Sequence, residues 1–73
     1  MTLTDEMVAG EHRALVASLC GRGISKRICA VVSIDKHGGH RHYFECGLNG
    51  PTKLTTESLA AAIRWYNKQG DEA

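Results

Sequence analysis

Apolar positions along the chain fall into three stretches with different periods. From Val8 to Leu19 they recur at the three- and four-residue spacing of a helix, with Val8, Leu15, Val16 and Leu19 on one stripe, His12 on the same stripe, and Glu11, Arg13 and Ser18 elsewhere. Thr4 followed by Asp5 and Glu6 is an N-cap with an acidic first turn, and Gly21 follows Cys20 as a stop, so the pattern predicts helix one over Asp5 to Cys20. Gly10 inside it costs about 1 kcal/mol against alanine. The second stretch, Ile28 to Leu48, changes period. Ile28 to Ile34 is almost continuously apolar and β-branched, Tyr43 to Leu48 mixes aromatic and polar residues, and Gly38-Gly39 between them supplies a reversal, which predicts a β-hairpin. In the third, Leu59, Ala62, Ile63 and Tyr66 form the stripe of a second helix, with Thr55 as N-cap, Glu57 in the first turn, Leu54 and Leu59 as a hydrophobic staple, Lys68 near the carboxyl end and Gly70 as the stop.

The connections follow from the same logic. Gly21-Arg22-Gly23 is expected to be a mobile link, Asn49-Gly50-Pro51 a turn, Thr52 to Leu54 a short third strand and Asp71 to Ala73 a frayed tail. Together these give one α+β domain over residues 1–73, ordered α-β-β-(β)-α, with two helices packed on one face of a small antiparallel sheet.

Hairpin register decides what the glycine-histidine tip can do. A two-residue Gly38-Gly39 turn pairs His37 with His40 and puts Asp35, His37, His40 and His42 on one face. An odd loop centred on Gly39 pairs Lys36 with His42 and instead makes Ile28, Ala30, Val32, Ile34, Phe44, Cys46 and Leu48 a single apolar face. Burial of such a face favours the second arrangement, in which the histidines do not converge.

Composition narrows the function classes. Nine Lys and Arg against eight Asp and Glu leave a formal charge of +1, which argues against a strongly basic nucleic-acid binder and an acidic nucleic-acid mimic alike. Cys20, Cys29 and Cys46 are odd in number and form no CxxC pair, and in the preferred register Cys29 and Cys46 face opposite ways; thiols in a reducing, cytoplasmic compartment are expected. The acidic start lacks the features of a secretory signal, and no segment has the apolar length to span a membrane. A chain of 73 residues buries only ~60% of the surface it exposes when unfolded, and a small sheet with a free edge suggests a homodimer or a partner protein covering the rest.

Candidate chemistry centres on the hairpin tip and on helix two. His37, His40 and His42 have the ligand types of a zinc or nickel site, although their spacing fits no standard metal motif and only the two-residue turn would gather them; no cofactor is expected. Trp65 and Tyr66, with Arg64, Arg41 and Tyr43 as neighbours, are the residues expected to anchor a partner, because aromatic residues and Arg dominate binding hot spots; Trp65 and Tyr66 are equally suited to completing the core.

Two resemblances extend these expectations. Lys53-Leu54-Thr55-Thr56-Glu57 followed by Ile63-Arg64-Trp65-Tyr66 is similar to small prophage-encoded accessory proteins, including some anti-CRISPR proteins, and this implies a compact inhibitor that occludes a surface of a host enzyme or complex. Gly38-Gly39-His40-Arg41-His42-Tyr43 resembles the Gly-Ser-His-x-x-aromatic motif of HicA-type toxins, with Gly39 where that family has serine, and implies an RNase in which His40 acts as general acid or base. A double-stranded-RNA-binding domain has the same element order but carries lysines where this chain reads Thr55-Thr56-Glu57-Ser58. The expected function is therefore a non-enzymatic protein-binding module directed at a host protein, with a HicA-like RNase and a structural dimerisation domain as alternatives.

Overall fold

Turn chemistry sets the sheet. Arg22 and Gly23 both take positive φ, 54° and 78°, the two-residue hairpin turn whose twist matches the strands it joins. This closes β1 (Gly10–Gly21) antiparallel on β2 (Ile24–Ile34), with Gly21 opposite Ile24 and Gly10 opposite Ile34. The computed structural model describes residues 2–69; the expected Gly70 stop and the tail 71–73 lie outside the described residues.

Helix one is thus replaced over most of its length. Only α1 (Asp5–Val8) is helical, one turn without a side-chain cap from Thr4. Ala9 is extended and Gly10 has φ 119°, a conformation that no helix accommodates. The stripe of Val8, Leu15, Val16 and Leu19 does not become a core-facing helix: Leu15, Val16 and Leu19 stay exposed on the sheet's outermost strand. A β-bulge between Leu15 and Ala17 shifts the register there.

The second hairpin joins β2 to β3 (His40–Leu48). Its pairing runs from Lys26 opposite Leu48 to Ile34 opposite His40, so the loop is odd, as expected, but centres on His37 in place of Gly39. Gly38 supplies the positive φ, 86°, and the Asp35 carboxylate accepts the His37 and Gly39 amides at 2.8 and 2.9 Å, which holds the tip closed. A shift by an even number of residues leaves every side chain on its expected face. Ile28 therefore lies beside Cys46 and Ala30 beside Phe44, while Cys29 pairs with Glu45 on the other face.

β4 (Thr52–Thr56) completes the strand order β1-β2-β3-β4, an antiparallel meander. Asn49 and Gly50, at φ 52° and 114°, make the turn, and Asn49 clips it to β2: its amide donates to the Ser25 carbonyl at 2.6 Å and its side-chain oxygen accepts the Ser25 amide at 2.9 Å. Thr55 and Thr56 extend β4 rather than capping a helix, and Ser58 takes the N-cap of α2 (Leu59–Lys68), accepting the Ala61 amide at 3.1 Å. Ser58→Ala is expected to lower stability by about 1 kcal/mol, checked by the urea midpoint.

α2 packs against β2, β3 and β4. Ile28, Cys46 and Ala62 are buried together there, with Phe44, Leu54, Trp65 and Tyr66 against them. Lys26 finishes the helix: its Nζ donates to the Tyr66 and Gln69 carbonyls at 2.9 and 3.0 Å and sits 4.3 Å from the Tyr66 ring centroid. Ten helical residues span ~15 Å against ~40 Å for a twelve-residue strand, so the sheet reaches well beyond the helix.

Candidate functional site

The face of the sheet away from α2 is organised by charges at strand spacing. Glu11 and Arg13 alternate along β1, and Arg13 must cross β2 to reach Glu45 on β3, with which it forms an ion pair, while also bonding Glu11 at 2.7 Å. Glu45 first, and then Glu11, push the Arg13 pKa up, so the guanidinium stays charged at any physiological pH. Arg13 and Tyr43 are the cross-strand neighbours of Val31, and beneath them Val31 is only 1% exposed although no helix among the described residues covers this face. Two charged or amphipathic side chains thus act as a lid over an aliphatic one. The Tyr43 hydroxyl lies 3.5 Å from Glu11, a contact at the limit of hydrogen bonding.

Beside this array is an open cleft of about 480 Å³ bordered by Glu11, Arg41, Tyr43, Glu45, Thr55 and Glu57. Strand alternation places Arg41, Tyr43 and Glu45 on one face of β3, and β4 sets Thr55 opposite Glu45. Further along the same face Arg27 lies over Gly47 and donates to the Gly50 carbonyl at 2.7 Å; a side chain at position 47 would occupy the space of that guanidinium.

The five residues expected to anchor a partner divide between two faces. Arg41 and Tyr43 meet at the cleft. Trp65 and Tyr66 are on α2, partly buried against Ile28, Cys46 and Ala62, with Arg64 exposed beside them. Glu11, Arg13, Glu45 and Glu57 join the site without having been singled out from the sequence, because a helical reading of residues 5–20 sends Glu11 and Arg13 away from β3. The alternation Glu11-x-Arg13, which fits a strand as well as a helix, was the available signal.

His40 and His42 share the α2-side face of β3, opposite Ile34 and Val32, and His37 is in the loop. No group of three His, Cys, Asp or Glu among the described residues is placed to hold a metal ion. His40 borders a second hollow of about 330 Å³ with Ser33, Ile34, Asp35, Gly39 and Arg41, but the Asp35 carboxylate there is already committed to the turn amides. His12 donates to the Val8 carbonyl at 2.7 Å. Burial, and secondarily Cys29, pushes the Cys46 thiol up; Cys20 is exposed, and the three cysteines are free. No helix among the described residues is long and apolar enough to cross a membrane. No protein-family model matches the chain, and no curated protein and no solved structure matches it at a significant level.

Proposed function

We propose that this protein is a non-enzymatic protein-binding module, working in a reducing, cytoplasmic setting, that covers a surface of a host protein or complex as small inhibitors carried by mobile elements do. The observation that supports this is the convergence of Arg41 and Tyr43 with charges of both signs around one cleft on the helix-free face. Tyr and Arg combine large contact area with fixed hydrogen-bonding geometry, and a sealed Val31 beneath them means that the surface need not collapse to become rigid. Glu11, Glu45 and Glu57 repel phosphate, which favours a protein over a nucleic acid, and the cleft suits a Lys or Arg side chain laid against the Tyr43 ring.

The test is a pull-down from host extract with wild type, Tyr43→Ala, Arg41→Glu and His40→Ala, read by mass spectrometry. Tyr43→Ala and Arg41→Glu should each reduce recovery of one stoichiometric partner at least tenfold, as expected for hot-spot residues, with an unchanged circular dichroism spectrum. His40→Ala should leave recovery unchanged. RNA cleavage by the wild type that disappears in His40→Ala would replace this function with that of a HicA-like RNase.

A further inference from the structure

We infer that β1 is the seam of a two-fold homodimer, in which the free edges of two copies pair antiparallel and join the two four-stranded sheets into one. The pairing adds to the binding face described above without depending on it, and both helix-free faces would lie on the same side of the joined sheet.

β1 is the end strand of the sheet, so alternate residues along its twelve positions direct their N–H and C=O groups away from β2. Natural edges are blunted by charge, by proline, by a bulge or by a covering segment. Here Ala14 to Gly21 contains neither charge nor proline. Nor, among the described residues, does the preceding segment cover the edge: the carboxylate of Asp5 lies beside Gly38, at the β2–β3 tip. Leu15, Val16 and Leu19 are 63%, 50% and 58% exposed along the same eight residues. The bulge between Leu15 and Ala17 is the one such device within these eight residues, and it falls at the middle of the strand, where a two-fold axis sets it against its own copy.

Surface area and shape make the same point. The accessible surface, 5345 Å², is larger than the ~4,400 Å² expected of a monomer of this mass. The radius of gyration, 15.0 Å, likewise exceeds the ~11 Å of a compact chain of this length. Charge permits a second copy: antiparallel pairing about an axis near Val16 sets Arg22 of one strand beside Glu11 of the other at both ends, where Glu11 is already paired with Arg13, so no like charges are forced together without a counter-charge.

Sedimentation velocity on the purified protein across 1–100 µM decides the matter. Wild type should sediment at twice the 7.9 kDa chain mass in the upper part of this range. The Leu15→Lys/Leu19→Lys variant should be monomeric throughout with an unchanged circular dichroism spectrum, since both side chains are exposed in the single chain. Ser18→Pro is the second variant. Alternation from the Gly21–Ile24 pair turns the Ser18 amide outward, so proline there removes a seam donor while sparing the ladder to β2, and it too should be monomeric. A wild type monomeric at 100 µM, or variants that still dimerise, would overturn the inference. A monomer that still captured a partner through Tyr43 would leave the binding face standing, and a dimer with no partner would do the reverse.

Discussion

Ile28→Ala should cost about 2–5 kcal/mol, the range for truncating a fully buried aliphatic residue, read as a lowered urea midpoint. A domain of this size has a total stability of roughly 4–11 kcal/mol, so one cavity removes a large fraction of it. Ile28 is 1% exposed and meets Cys46 and Ala62 in the one cluster that α2 seals. Cys46 and Ala62 are too small to fill the space, which is left to the larger Phe44, Leu54, Trp65 and Tyr66 packed around them. Val31, equally buried but on the other face, gives an informative contrast. Its cover consists of Arg13 and Tyr43, long side chains that can settle into a void, and Val31→Ala should therefore lower the urea midpoint by less than Ile28→Ala at an unchanged slope.

Lys26→Met should have the next largest effect, about 2–3 kcal/mol, from the loss of charge-assisted hydrogen bonds to two carbonyls at the end of α2. Methionine preserves the aliphatic stem, so the difference isolates the ammonium group. What remains is the Tyr66 carbonyl with only the Gln69 amide and the Gln69 carbonyl without the ammonium, at the negative end of the helix dipole, where a cation is favoured. Urea denaturation gives the total, and hydrogen exchange localises it: the amides of the last turn, including the Gln69 amide that donates to Tyr66, should exchange faster than those near Ser58. Uniform acceleration across β2 and β3 would show instead that Lys26 supports the whole core.

Residues whose local and tertiary preferences agree were legible in advance. Ile28 to Ile34 and Phe44 to Leu48 gave the correct faces because alternation survives an even shift in register, and the opposite facing of Cys29 and Cys46 followed from it. The helix α2 was equally plain, but of its expected stripe only Ala62 and Tyr66 pack on the sheet, with Trp65 beside them, while Leu59 and Ile63 are exposed, and its start moved from Thr55 to Ser58 once β3 recruited Thr55 and Thr56 into β4. Residues 10–21 misled because Leu15, Val16 and Leu19 satisfy a helical stripe while nothing among the described residues buries that stripe. The deciding information was the Gly21-Arg22-Gly23-Ile24 turn, which forces an antiparallel partner onto whatever follows it. The same misreading hid half of the cleft. Arg41 and Tyr43 were in view, whereas Glu11 and Arg13 acquire their meaning only when β1 lies beside β2 and Arg13 can reach Glu45.

The strand order, in which each strand pairs only with its neighbour in the chain, also governs how the molecule comes together during synthesis. Hairpins with loops of two, five and three residues close locally and quickly, so the sheet can form as it emerges. Ala62 and Trp65, however, arrive more than a dozen residues after Cys46, and until then Ile28 and Cys46 face water on a sheet whose first edge is already open. The last helix is therefore the step that commits the chain, and the interval before it is when the nascent sheet is most exposed to pairing with the wrong strand.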